Sequence, residues 1–193
     1  VSSLFSALLN GAVVCLFDLG KRGMHLLADW VLKEGITIFH SVPLIFQALV
    51  ARGDSFPNLR LIRLEGDMAS KRHVELFKQY FDSTCTLVNG LGTTETGLVR
   101  QYFIGRDTVI PGSAVPIDYP TEDMEVRLLD EAGNDVESGE SGEIAVRSRY
   151  LAVGYWRRAD LTAAAFHSVP EEEGSRIYRT RDMGRFLADG CLE

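Results

Sequence analysis

Over its first hundred residues the chain alternates short β-rich apolar runs with segments of helical periodicity, which restricts its fold more than any other feature. Leu4, Phe5, Leu8 and Leu9 mark a helical face that Gly11 ends. Residues 12–17 form an apolar, β-rich run and predict a buried strand. Leu26, Leu27, Trp30 and Val31 recur at helical spacing within 24–34, with Gly35 as the stop. A strand is expected at 36–40, a helix that opens on Pro43 at 43–51, and a third strand at 59–64. Ser70 is the expected N-cap of a helix through Phe81 that turns Val74, Phe77 and Phe81 inward, and a fourth strand follows at 84–88. Such alternation implies an α/β fold, a mostly parallel sheet with flanking helices.

Beyond residue 105 the pattern changes. Residues 124–129 alternate, a turn falls at Glu131-Ala132-Gly133-Asn134, and strands are expected at 142–147, 177–180 and 184–187, with a turn at Ala188-Asp189-Gly190. Only 161–166 reads as helical, with Asp160 as its cap. The expectation is two subdomains of one core: an α/β part over 1–108 and a small, mostly-β, β-barrel-like part over 109–193. The first residue is not methionine, and both ends read as cut from a longer protein.

Ligands of open α/β sheets sit beyond the carboxyl ends of strands. Two loops qualify, Glu65-Gly66-Asp67-Met68-Ala69 and the stretch from Asn89 to Thr96. The second joins glycines to two hydroxyls and a carboxylate. Small residues let a backbone approach a ligand, hydroxyls and amides suit phosphate oxygens, and a lone carboxylate suits Mg²⁺ held partly by a nucleotide. A polar strand-to-turn junction with no ligand reads equally from the spacing.

Of the 193 residues, 46% are hydrophobic and 24% charged, and the formal net charge is −7. No basic cluster interleaves with aromatics, which argues against a nucleic-acid partner. Cys15, Cys85 and Cys191 are widely spaced without a Cys-x-x-Cys, and the four histidines lack metal-ligand spacing. Reduced, buried thiols in a cytoplasmic protein are expected, and no apolar run approaches membrane-spanning length, so no membrane partner is expected.

Asn89-Gly90-Leu91-Gly92-Thr93-Thr94-Glu95 resembles the aromatic-Gly-x-Thr-Glu signature of adenylate-forming enzymes, which include nonribosomal peptide synthetase adenylation domains, acyl- and aryl-CoA ligases and luciferases. Gly142-Glu143-Ile144, Gly154-Tyr155-Trp156, the Leu161-Thr162 helix to Phe166, and Tyr178-Arg179-Thr180-Arg181-Asp182 resemble later motifs of that family, in family order. Leu4 to Ala12 is similar to a helix of the peptide synthetase type. The resemblance implies activation of an amino acid or other carboxylate by ATP and Mg²⁺, with pyrophosphate released and the acyl group passed to phosphopantetheine on a carrier protein domain.

The resemblance assigns Thr94 to the α-phosphate and Glu95 to Mg²⁺, both as catalytic residues. It assigns Asn89 to the adenine edge, Gly66, Asp67, Met68, Gly90, Leu91 and Gly92 to the nucleotide, and Asp182 to the ribose hydroxyls, in a cleft at the subdomain junction. The acyl pocket would take His40, Arg63, Glu65, Gly90, Leu98 and Val99. Two readings stand for Arg63 and Glu65, contacts to a polar or charged substrate or a structural pair, and His40 reads as a packed strand-end residue or a ligand.

Several positions depart from the family pattern. Leu91 stands where an aromatic stacks on adenine, Thr93 where proline is common, and Arg181, Asp118 and Ser148-Arg149 where glycine is common. Arg181 would strain its turn if that turn needs positive φ. The family's phosphate loop, its amine-binding aspartate and its C-terminal catalytic lysine fall outside this sequence, so the chain alone is expected to be inactive without the rest of the adenylation domain. A piece of an acyl- or aryl-CoA ligase, and a non-catalytic scaffold with a decayed nucleotide site, are the alternatives.

Overall fold

Parallel pairing organises the first half of the computed structural model, which describes residues 2–169, 172 and 174–193. β1 (Ile38–Ser41), β2 (Leu61–Glu65) and β3 (Thr86–Thr93) lie side by side, with His40 opposite Arg63 and Glu65 opposite Gly90. The crossovers are α4 (Pro43–Val50) and α5 (Lys71–Tyr80), preceded in the chain by α1 (Ser2–Leu9), α2 (Leu19–Arg22) and α3 (Leu27–Lys33). Pro43 opens α4, where its missing N–H costs nothing. Ser70 caps α5, and its own N–H donates to His73 Nδ1 at 2.9 Å. Val74, Phe77 and Phe81 are buried as their spacing predicts, and Phe81 stacks with Phe46, Phe56 and Phe77 at centroid distances of 6.1, 5.7 and 5.7 Å.

Two compact units emerge, the chain up to Gly90 with Phe103–Val115, and Leu91–Tyr102 with Pro116–Glu193. In the second, β4 (Gly97–Ile104) meets β5 (Tyr119–Pro120) antiparallel through Arg100 and Gln101. β6 (Glu125–Leu129), β7 (Ser141–Ser148), β8 (Phe166–Ser168) and β9 (Arg176–Arg185) form an antiparallel sheet in the order β6-β7-β9-β8, and α6 (Ala159–Ala165) leads directly into β8. One apolar cluster gathers Val99, Val146, Leu151, Phe166 and Tyr178, and another gathers Leu128, Ile144 and Leu192.

Five expectations are corrected. Residues 12–17 are not a strand; among the described residues no strand pairs with them, so Val13 and Leu16 stand exposed. For the same reason Cys15 is exposed, while Cys85 and Cys191 are buried. The stretch from Asn89 to Thr93 is not a loop but the end of β3, and the turn is confined to Thr94-Glu95-Thr96. Residues 177–180 and 184–187 are not two strands, because β9 runs from Arg176 to Arg185 without a break. Asp160 lies inside the first turn of α6, whose N-cap is Arg158, and its carboxylate takes the Arg158 Nε at 2.9 Å instead of capping the helix.

Candidate functional site

The Thr94-Glu95-Thr96 turn is shaped from within. Thr96 is buried; its hydroxyl takes the Thr93 N–H at 3.1 Å and donates to the Gly97 carbonyl at 2.9 Å. Gly97, at φ +68°, lets the chain reverse into β4. Thr94 is left exposed at the tip.

Glu95 is half-buried and held at two points. Its carbonyl accepts the Ala152 N–H at 2.7 Å, and its Oε1 accepts the Tyr155 hydroxyl at 2.7 Å. Tyr178 Oη on β9 lies 3.5 Å from Tyr155 Oη. Burial pushes the Glu95 carboxyl up, but the Tyr155 hydroxyl, the Glu95 backbone, and the Thr93 and Tyr178 hydroxyls outweigh it, leaving the carboxyl below its ordinary range. Burial, with Tyr155 and Glu95 beside it, holds the Tyr178 phenol well above its usual range. Tyr155 is itself fixed, because its N–H donates to Thr162 Oγ1 at 2.9 Å. Gly154 makes that approach possible: a Cβ there would lie 2.5 Å from Thr162 Cγ2.

Asp182 is exposed, where the resemblance implies a buried carboxylate, and it sits on a bulge of β9. Glu143 of β7 faces Met183 and Ala145 faces Arg179, so Thr180, Arg181 and Asp182 together oppose Ile144. Arg181 adopts φ +68°, the left-handed conformation that the glycine common at this position adopts without strain. Glu143 accepts Arg179 Nε at 2.7 Å on Oε2, which Arg179 Nη2 also contacts, and the Arg181 N–H at 3.0 Å on Oε1. Thr180 Oγ1 donates to the Ile144 carbonyl at 2.7 Å and takes the Asp182 N–H at 3.0 Å. Burial pushes the Glu143 carboxyl up, but Arg179 and the Arg181 amide pull it below its ordinary range. Gly142 and Gly184 face each other across the two strands, and a Cβ on Gly142 would come within 3.0 Å of the Leu129 backbone.

In the first unit His40, Arg63 and Glu65 form one cluster. Glu65 Oε2 lies 3.0 Å from His40 Nε2 and 2.8 Å from Arg63 Nη2, and Ser3 Oγ contacts His40 Nδ1. The Arg63 contact is an ion pair of poor hydrogen-bond geometry, for Arg63 Nε and Nη2 are buried without a hydrogen-bond acceptor. Burial pushes the Glu65 carboxyl up, but His40 and Arg63 bring it below its ordinary range. Gly66, at φ +89°, turns the chain after β2; Asp67 Oδ1 caps the Met68 N–H at 2.8 Å, and Met68 is 71% exposed. Asn89 is 3% exposed, with its side-chain amide donating to the Val115 carbonyl at 3.3 Å, and Gly90 is buried beside it.

In the second unit Gly92 and Leu98 are half-buried. Leu91 packs against the cluster of Leu128, Ile144 and Leu192, which accounts for an aliphatic residue at that position. Val99 is 1% exposed inside the other apolar cluster.

Among the described residues no three His, Cys, Asp or Glu side chains gather to hold a metal. Glu95 fits a cation of another kind: a hard carboxylate, with Tyr155 on one oxygen, suits a Mg²⁺ whose remaining ligands are phosphate oxygens and water. Tyr155, Thr162, Glu143 and Arg179 lie inside the motifs that carry the family resemblance, but no sequence pattern assigns these side chains a role. Their position within motifs was the available signal.

The family described as AMP-binding enzyme matches residues 1–156. Bacitracin synthase 3 of Bacillus licheniformis is 30% identical over 195 positions, covering 100% of this chain and 3% of that protein. Tyrocidine synthase 1 of Brevibacillus parabrevis is 29% identical over 196 positions, covering 100% of this chain and 17% of that protein. Among solved structures, PA1221, described as an NRPS protein containing adenylation and PCP domains, superposes with a TM-score of 0.82 at 31% identity, covering 98% of this chain and 39% of that one.

Proposed function

The chain belongs to the AMP-binding enzyme family, in the likeness of nonribosomal peptide synthetase adenylation domains, and from that premise we propose that the full-length protein activates an amino acid as its acyl adenylate for transfer to a carrier-protein phosphopantetheine thiol. In the first step a carboxylate oxygen of the amino acid bonds to the α-phosphorus of ATP and the bond to pyrophosphate breaks. In the second the thiolate displaces AMP. Phosphoryl chemistry of this kind needs positioning and charge neutralisation more than a protein base.

The Thr94 hydroxyl donates to the α-phosphate. Glu95, with one oxygen engaged by Tyr155, offers the other to Mg²⁺, which would neutralise phosphate charge as pyrophosphate leaves. Asp182 accepts the ribose hydroxyls. The Gly66-Asp67-Met68 loop, Asn89, Gly90, Leu91 and Gly92 are the proposed nucleotide contacts. His40, Arg63, Glu65, Gly90, Leu98 and Val99 are the proposed substrate positions.

One observation carries this reading. Glu95 is joined through the Tyr155 hydroxyl, at 2.7 Å, to Tyr178, on the same strand as Asp182. Residues 178 and 182 are four apart along β9, at most about 13 Å of extended strand and less across the bulge, within the reach of one nucleotide. The test is amino-acid-dependent ATP–pyrophosphate exchange by the full-length protein. Glu95→Ala and Asp182→Ala are each expected to lower it about a hundredfold. Wild-type rates in both variants would reject the role assignments, and no exchange by the folded wild-type protein with any amino acid would favour the non-catalytic reading.

A further inference from the structure

Glu143 has no role in the reaction just described, yet both oxygens of its carboxylate are engaged. Oε2 takes the Arg179 guanidinium and Oε1 takes the Arg181 main-chain N–H. These two donors flank Thr180 in the segment where β9 gains two residues over β7. Arg181 adopts φ +68° there. A residue with a Cβ is disfavoured in that conformation and persists in it only where its surroundings hold it. Glycine would hold the same backbone without help.

We propose that Glu143 is a positioning residue for nucleotide binding: it clamps the β9 bulge against the strain at Arg181 and so sets the orientation in which Asp182 meets the ribose. The proposal rests on the reading of Asp182 as the ribose-binding carboxylate. It assigns the Gly142-Glu143-Ile144 motif a division of labour. Glu143 fixes one side of the bulge, the Ile144 carbonyl fixes the other through Thr180 Oγ1 at 2.7 Å, and Gly142 lets β7 lie close to Leu129.

The position of Arg181 makes the clamp testable by compensation. Removal of Glu143 frees a strained residue to relax, whereas a glycine at 181 keeps the bulge in place without the carboxylate. In the full-length protein, AMP affinity is measured by calorimetry, and amide hydrogen exchange over residues 180–183 is measured without nucleotide. Glu143→Ala should weaken AMP about tenfold and speed exchange of the Arg181 amide by a similar factor. Glu143→Gln, which keeps an acceptor for that amide, should fall between. The Glu143→Ala/Arg181→Gly double variant should recover most of the AMP affinity, and Arg181→Gly alone should bind as wild type.

Unchanged exchange in Glu143→Ala overturns the clamp. Faster exchange with unchanged AMP affinity, while Asp182→Ala loses affinity, overturns the link from clamp to nucleotide. Equal losses in the single and double variants would also overturn it, because a general structural defect is not repaired by relieving strain at one residue. Unchanged affinity in Asp182→Ala removes the ribose reading and, with it, the clamp's function, even where exchange still shows the clamp.

Discussion

Two arginine–carboxylate clusters, one in each unit, are built from the same residue types and do different things. Around Glu143 both oxygens have partners of good geometry, one of them a main-chain amide, so the cluster shapes backbone. Around Glu65 the His40 ring and the Arg63 guanidinium both crowd onto Oε2, and two Arg63 nitrogens are left without acceptors. A buried pair stabilises only when its remaining donors and acceptors are also met. The first cluster is therefore scaffold. The second holds donors in reserve, which suits the proposal that His40, Arg63 and Glu65 meet a substrate.

The contrast breaks most directly on the arginines. Arg179→Leu strips the Glu143 carboxylate of its cation and is expected to cost about 2 kcal/mol. Arg63→Leu removes two orphaned donors while Glu65 keeps His40, and should cost less than about 1 kcal/mol. Denaturant titration of both variants decides, and equal losses would erase the distinction.

Acid sharpens it next. The folded Glu143 carboxyl titrates below its ordinary 4.5, so its stabilisation is complete above that pH and is lost as pH falls through the folded value. The stability gap between wild type and Glu143→Ala should therefore be constant near neutrality and close below pH 4.5. A gap that persists into strong acid would mean the carboxylate's charge is not what the bulge uses.

The smallest effect is expected at Arg181. Glycine relieves about 1–2 kcal/mol of left-handed strain but adds unfolded-chain entropy of about 0.5–1 kcal/mol. Arg181→Gly should thus stabilise by about 0.5–1 kcal/mol, seen as a modest rise in Tm. A fall in Tm would show that the Arg181 side chain contributes more than its backbone costs.

What the sequence made legible was local. The helical spacing of Val74, Phe77 and Phe81, the cap at Ser70 and the proline at the start of α4 all state their structure within a turn or two of chain. The run at 12–17 misled because burial of a strand depends on a neighbour that its own residues do not encode. The glycines at 90 and 92 read as a turn, but β3 carries them in extended backbone to Thr93. The anchoring of Glu95 lay beyond reach for a different reason: Tyr155 is 60 residues away, and no periodicity links the two. The bulge at 180–182 was half-visible, since an arginine where glycine is common flags a backbone question without saying which carboxylate answers it.

The exposed thiol of Cys15 has a practical corollary. Of the chain's three cysteines, burial pushes Cys85 up to about 12 and Cys191 up to about 11, so both resist alkylation at neutral pH. A maleimide dye offered to this chain under native conditions would mark a single address, in the apolar stretch beside Val13 and Leu16. Fluorescence from that address would report on the surroundings of the stretch, with no engineered cysteine.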